Sequence, residues 1–205
     1  MTKLLFEFIR SGIEPIRDKT YGNGYRCSVY LTDGTFLPCV MLRGGAPITD
    51  LALRRFEEEK KGKGMFRKNE EGYKAIVKNF LTSGNRVNSY DIARVEPSRY
   101  ATPLELLSQI HGETTMAWTG FVLEMRDGKN LAFGTTFLFE FFNIPEPYSF
   151  SDVVAVHNHS YVTSEGELKS LHEGFMEPPS DCDRTIVCRE RPYFVCHLDP
   201  WPSNA

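Results

Sequence analysis

The sequence predicts an α+β fold in which a mostly antiparallel sheet, built from several hairpins, packs against three or four helices. Two Asp-Gly pairs, Asp33-Gly34 and Asp127-Gly128, each lie between two stretches rich in apolar and aromatic residues, a pattern typical of β-hairpins. Segments with apolar residues at helical spacing lie between these hairpins. Aromatic residues make up 13% of the chain, which favours sheets and aromatic cores.

The first half of the chain predicts four strands from apolar stretches that end at turn residues. They are 4–9, 25–31, 35–42 and 86–96. Two helices are also predicted, the second of them because its apolar residues recur every three or four positions. The first is 49–61, capped by Thr49, and the second is 69–84, capped by Asn69.

In the second half, Thr102 and Glu105 form a capping box that predicts a helix ending at Gly112. Ser164 and Glu167 have the same spacing and predict a helix at 164–175. The remaining apolar stretches predict two hairpins and one short buried strand. They are the hairpin 118–126 with 131–142, the strand 152–156, and the hairpin 185–190 with 193–198. The segment 143–150 carries two prolines and is predicted as a loop.

A chain of 205 residues, 41% of them hydrophobic, is long enough to bury a core without disulfides. We expect a single domain, 1–205, which can divide into 1–96 and 97–205. The two Asp-Gly hairpins are alike, but two copies do not establish a repeat. The net charge of −3 gives no sign of a polyanionic partner.

The ends and the cysteines of the sequence predict a cytoplasmic protein without a membrane segment. No apolar stretch approaches the roughly 18 residues of a membrane span. The apolar run at the beginning is too short for a signal peptide. Five cysteines without regular spacing indicate reduced thiols in a protein core.

The strongest candidate for chemistry is the apolar run 153–156, which leads into His157 and His159. Residues two apart on a strand share a face, so both imidazoles are predicted to reach one metal ion. A carboxylate at the start of the next helix, Glu167 or Glu165, would be a third ligand. Helix capping alone explains the spacing of Ser164 and Glu167 equally well.

The segment VVAVHNH at 153–159 resembles the JAMM (MPN-type) zinc metalloproteases and the RadC-like proteins that share their fold. The resemblance implies a metal-dependent hydrolase that acts on peptide or isopeptide bonds. Ser164 matches the serine of the family motif, whereas Ser160 stands in place of its proline. The implied zinc ligands are His157, His159 and Glu167, and the implied general base is Glu113 or Glu124.

Two other classes of function are kept as alternatives. One is a non-catalytic cytosolic module that binds a protein partner through an aromatic or basic surface. The other is nucleic-acid contact through residues 54–68, where seven basic residues stand against three glutamates. Mixed charges of this kind favour a solvated helix over a nucleic-acid site. No glycine-rich phosphate loop is present in the sequence, so no nucleotide cofactor is expected.

Overall fold

The computed structural model describes residues 3–17, 23–61, 84–136, 138–171 and 179–198. The chain divides into two compact units. The N-terminal unit extends to Pro97 and takes up the chain again from Tyr193, and the central unit is Ser98–Pro192. Among the described residues, no helix is both long enough and apolar enough to span a membrane.

In the N-terminal unit, a five-stranded sheet accompanies two helices and a short 3-10 turn. The elements are α1 (Lys3–Gly12), β1 (Pro15–Ile16), β2 (Gly24–Leu31), β3 (Phe36–Gly44), α2 (Ala46–Lys60), the 3-10 turn Ser89–Asp91, β4 (Ile92–Pro97) and β11 (Phe194–Leu198). The strand order is β1-β2-β3-β11, and β4 also pairs with β2. All pairs are antiparallel except β11 with β3, which are parallel.

The core of the N-terminal unit explains why 4–9 is helical and not a strand as predicted. Ile9 and Ile13 are buried with Val29 and Val95, and Leu5 packs against the same cluster. The spacing of Leu5 and Ile9 places both on one face of α1, and Ile13, directly after the helix, donates its N–H to the carbonyl of Ile9. Because a run of six residues with five apolar side chains fits a strand or a helix, the sequence pattern alone was ambiguous.

Other predictions for the N-terminal unit have mixed outcomes. The first hairpin and the helix predicted at 49–61 are confirmed as β2, β3 and α2. The predicted strand 86–96 is shorter, because a 3-10 turn occupies Ser89–Asp91 and the strand begins at Ile92. The helix predicted at 69–84 lies almost wholly outside the described residues.

The central unit contains a four-stranded sheet, a two-stranded sheet and one turn of α-helix. Its elements are α3 (Leu104–Leu107), β5 (Thr119–Met125), β6 (Asn130–Thr135), the 3-10 turn Phe150–Asp152, β7 (Val153–Asn158), β8 (Ser160–Val162), β9 (Leu168–Ser170) and β10 (Cys188–Arg189). The larger sheet has the order β10-β6-β5-β7, and β8 pairs with β9. Only β10 and β6 are parallel.

The two faces of the larger central sheet have different neighbours. On one face, Phe121, Phe133 and Phe142 form an aromatic cluster, with Phe121 stacked on Phe133 at 5.4 Å between ring centroids. On the other face, Val122 and Ala132 pack against residues of β8 and β9. Both faces of β5 are therefore buried along most of its length, so it alternates between two apolar environments.

The second hairpin is confirmed as β5 and β6, but its second arm, predicted to extend to 142, ends at Thr135. The loop 143–150 and the strand at 152–156 are confirmed, but the two helices predicted in this half are not. The helix predicted from Thr102 is reduced to α3, which has no side-chain cap. Where a helix was predicted to begin at Ser164, a turn at Gly166 (φ +87°) joins β8 to β9, and 172–175 of that prediction lie outside the described residues. The hydroxyl oxygen of Thr163 accepts a hydrogen bond from the backbone N–H of Glu167 at this turn. Ser164 and Glu167, the expected capping pair, therefore lie in a hairpin turn.

The predicted fold class, a mostly antiparallel sheet packed with three or four helices, is wrong. Strands predominate in the described residues, helices contribute much less, and the strands form several sheets, two of which are mixed. The last predicted hairpin shows why. Its two arms, β10 and β11, join different sheets, and each pairs in parallel with a strand distant in sequence. Local patterns of apolar residues do not specify such long-range partners.

The two units repeat one arrangement around their Asp-Gly turns. Each hairpin is followed by a 3-10 turn whose last carbonyl accepts a hydrogen bond from the residue just before the turn aspartate. Thr32 N donates to Asp91 O, and Arg126 N donates to Asp152 O, both at 2.8 Å. The strand after the 3-10 turn then pairs antiparallel with the first hairpin strand, as β4 with β2 and β7 with β5. A parallel strand completes each sheet, so the similarity between the hairpins extends through each unit.

Candidate functional site

His157 and Glu124, two of the residues singled out in the sequence, meet on one face of the central sheet. Strands β5 and β7 pair so that Glu124 lies opposite Ala155, and His157 lies opposite Val122. The imidazole Nε2 of His157 is 3.1 Å from the Glu124 carboxylate. Both side chains are partly exposed, at 32% and 41%. The contact orients the imidazole and holds its Nε2 at the carboxylate.

His159 does not extend the face on which His157 lies, because β7 ends at Asn158. His159 has a left-handed backbone (φ +50°), and its N–H donates to the carbonyl of Gly120. Its Nδ1 is 3.3 Å from the hydroxyl of Thr114. His111 is a neighbour, with 6.5 Å between the two imidazole centroids.

Asn158 fixes the loop that carries His111. Its side-chain amide donates to the carbonyl of Gln109 at 2.7 Å and its oxygen accepts the backbone N–H of His111 at 3.1 Å. The imidazole of His159 lies over Gly112, where an added Cβ would be 2.8 Å from the ring. The His-Asn-His segment therefore has clear structural roles in joining the end of β7 to the 109–114 loop.

The other predicted site residues lie apart from this pair. Glu167 and Glu165 are exposed at the β8–β9 turn, where the Glu167 carboxylate is 4.0 Å from Lys169, and Glu113 is exposed before β5. Within the described part of the chain, no three His, Cys, Asp or Glu side chains are grouped to hold a metal ion. The predicted zinc ligands thus do not assemble into a three-ligand site here.

All five cysteines are free thiols. In the central unit, burial raises the pKa of Cys188 to about 11 and also raises the pKa of Cys182. A thiol with a raised pKa is a poor nucleophile near neutral pH, because only the thiolate reacts. Burial therefore disfavours the reactive thiolate form of both residues.

The central unit contains a cavity of about 290 Å³, which we call the Trp118 cavity. Its lining is mainly apolar and aromatic. The described residues that line it are Thr115, Trp118, Gly120, Ala132, Phe133, Ser160, Tyr161, Leu171, Pro179, Cys182, Arg184, Val187 and Arg189. A concave, mostly apolar site with a few polar groups is the usual form of a small-molecule site.

Two glycines make room for the indole ring that gives the cavity its name. A Cβ on Gly134 would overlap the Trp118 ring, and a Cβ on Gly120 would lie 3.4 Å from the indole nitrogen. The two glycines are opposite each other on β6 and β5. The ring therefore lies flat on the sheet, held by backbone rather than by flexible side chains.

Among the described residues that line the Trp118 cavity, the charged groups are cationic. The guanidinium of Arg189 stacks over the Trp118 ring at 4.7 Å, and Arg184 also lines the cavity. Tyr161 donates to Asp181, but that carboxylate is bonded to Lys169 at 2.8 Å. The hydrogen bond from Lys169 lowers the pKa of Asp181, so the two charges stay paired and offset each other.

The Trp118 cavity was not among the sites predicted from the sequence. A signal was present, because glycines at 120 and 134 interrupt two strands that are otherwise apolar. Glycine within a strand often marks a close approach by another group. The position of Arg189 beside Trp118 could not be predicted, because that contact depends on the parallel pairing of β10 with β6.

The basic segment proposed for nucleic-acid contact is described only up to Lys61. In this part, Arg55 pairs with Glu58 at 3.1 Å, and Lys61 pairs with Glu57 at 3.5 Å. These pairs follow the helical spacing expected of a solvated face. The rest of the segment, 62–68, lies outside the described residues.

No protein-family model matches this chain, and neither a curated protein nor a solved structure matches it. Its function therefore has to be inferred from the chemistry and geometry of its own residues.

Proposed function

We propose that the central unit is a binding module that holds a small molecule with an apolar body in the Trp118 cavity. The observation that carries this proposal is the indole of Trp118, which lies flat on Gly134 and Gly120 beside a cavity of about 290 Å³. Such a volume is near the lower end of the range for ligand pockets. The proposed ligand is accordingly a compact molecule with about one ring.

The binding energy would come mainly from apolar contact. Val187, Leu171 and Pro179 line the cavity along with the aromatic ring of Trp118. Removing apolar surface from water contributes about 25 cal/mol per Å², and a rigid aromatic wall loses little entropy on binding. A single-ring molecule should bind with a Kd on the order of 1 mM.

Phenylacetamide, a neutral single-ring molecule, is the probe for this proposal. Its affinity is measured by saturation-transfer difference NMR for the wild type, for Val187→Phe and for Ile186→Phe. Val187 lines the cavity, whereas its neighbour Ile186 is 41% exposed and does not line it. The two variants add the same ring at adjacent positions, so they form a matched pair.

We expect saturable binding to the wild type and to Ile186→Phe, and a loss of at least about tenfold in Val187→Phe, whose added ring occupies the cavity. Circular dichroism spectra and thermal unfolding show whether both variants are folded. Equal binding by the two folded variants, or no binding by the wild type, would refute the binding module.

The metal-dependent hydrolase implied by the family resemblance stays a prediction. Its best structural support is the contact of His157 with Glu124 at 3.1 Å. The described residues do not bring the implied ligands His157, His159 and Glu167 together, so they do not fit the three-ligand zinc site that the resemblance implies. Elemental analysis of untagged wild type beside His157→Ala/His159→Ala tests it. One zinc per chain, lost in the double variant, would favour the hydrolase, and no zinc in either protein would exclude it.

A further inference from the structure

We infer that the ligand of the Trp118 cavity is an organic anion, a planar apolar body that carries a carboxylate, with Arg189 as its principal charged contact. This inference rests on the proposed binding function and specifies its ligand class. It is carried by the charges of the lining and by the position of the Arg189 guanidinium.

The lining has a net positive charge. Arg184 and Arg189 line the cavity, and no Asp or Glu is among its described lining residues. Asp181, which accepts a hydrogen bond from Tyr161, is held by Lys169 at 2.8 Å. Asp183, between the lining residues Cys182 and Arg184, accepts hydrogen bonds from Thr185. A carboxylate entering the cavity would therefore meet the Arg189 guanidinium, with both nearby carboxylates already hydrogen-bonded.

The position of Arg189 suits recognition of a carboxylate. Its guanidinium stacks over the Trp118 ring at 4.7 Å, so one face of the cation is covered by indole. A stacked guanidinium keeps its N–H edge available, and that edge matches the two oxygens of a carboxylate. The ring of the ligand and its charge would thus be held by two side chains that already contact each other.

The N-terminal unit indicates that this arginine is not required by the strand arrangement. Arg189 on β10 lies opposite Gly134 of β6, and the equivalent parallel pair in the N-terminal unit is Val195 with Met41. Where the N-terminal unit has an apolar pair, the central unit has a cation beside a glycine. The cationic position therefore belongs to the cavity rather than to the shared backbone.

The test compares phenylacetate with phenylacetamide, which have the same ring and differ in charge. Kd values are measured by saturation-transfer difference NMR for the wild type, for Arg189→Gln and for Arg126→Gln. Arg126 lies on the Asp127-Gly128 turn, is 72% exposed and does not line the cavity, so its variant controls for the change in net charge.

We expect the wild type and Arg126→Gln to bind phenylacetate about tenfold more tightly than phenylacetamide. In Arg189→Gln this preference should fall to about twofold or less, with the affinity for phenylacetamide little changed. If phenylacetamide binds and phenylacetate binds no better, the anion inference fails while the binding module stands. The inference also fails if Arg189→Gln keeps the preference. If neither probe binds the wild type, both proposals fail.

Discussion

The N-terminal and central units share an arrangement of strands but fill one sheet face in opposite ways. Gly24 and Trp118 stand at the same distance before their Asp-Gly turns, and Met41 and Gly134 occupy equivalent places on the facing strands. In the N-terminal unit a Cβ on Gly24 would lie 2.6 Å from the sulfur of Met41. In the central unit the large residue is Trp118 and the small one is Gly134. The large and the small residue have therefore exchanged positions between the equivalent strand pairs of the two units.

This exchange shows how one backbone can give a filled face or a cavity. A buried methionine is flexible and fills the space around it, whereas a rigid indole lying on glycines leaves a concave surface at its edge. Polar groups on the same faces differ as well. Tyr30 stacks with Arg94 at 4.1 Å in one unit, and Glu124 contacts His157 in the other. The shared backbone arrangement accommodates both pairs of polar side chains, because the Asp-Gly turns and the apolar cluster on the other face of each sheet stabilise it.

The largest expected effect is in the aromatic core of the central unit. Phe121→Ala should lower the free energy of unfolding by about 3–5 kcal/mol, because it removes a ring that is 1% exposed and packed on Phe133 and Phe142. Cys27 is the equivalent position in the N-terminal unit, and Cys27→Ala should cost less because it removes one atom. Urea denaturation followed by circular dichroism measures both losses. A smaller loss of stability for Phe121→Ala than for Cys27→Ala would contradict the larger role of the aromatic core in the central unit.

Gly134→Ala tests the contact with Trp118. The added methyl group would overlap the ring, so the free energy of unfolding should fall by about 1–3 kcal/mol, as for other overpacked sites. The control is a double-mutant cycle with Trp118→Ala, analysed by urea denaturation. The double variant should lose less stability than the two single losses combined. Simple additivity would show that the ring does not depend on this glycine.

Gly24→Ala is the corresponding substitution in the N-terminal unit, and it should cost less than Gly134→Ala. The nearest atom to the new methyl group would be the sulfur of Met41, near the end of a flexible side chain that can move. We expect a loss below about 1 kcal/mol in the same urea experiment. A loss as large as that of Gly134→Ala would contradict the contrast between a flexible and a rigid neighbour.

The last expected effect concerns pH. Burial raises the pKa of Cys196 from its ordinary value of 9.0 to about 12, and the pKa of Cys27 is raised more. Above pH 9.0 the unfolded chain releases these protons while the folded chain keeps them, so stability falls as pH rises toward 12. Urea denaturation on both sides of pH 9.0 should show this decline, and Cys196→Ala should lessen it. An unchanged slope in the variant would contradict the assignment.

Much of the local structure could be predicted from sequence, because it depends on neighbouring residues. The Asp-Gly hairpins and the strand leading to His157 follow from turn chemistry and apolar patterns. The parallel partners of β6 and β3 could not be predicted, since nothing local specifies a strand distant in sequence. The same limit applies to the site: Glu124 was one of two candidates, and only the β5–β7 register brings it to His157.

The central claim is that the Trp118 cavity binds an organic anion and that the equivalent face of the N-terminal unit does not. Titration of ¹⁵N-labelled protein with phenylacetate, followed by two-dimensional NMR, tests both halves in one sample. We expect saturable shifts at the Trp118 indole N–H and at the amides of Gly120 and Gly134, with none at Gly24 or Met41. Shifts at Gly24 and Met41, or none at Trp118, would contradict it.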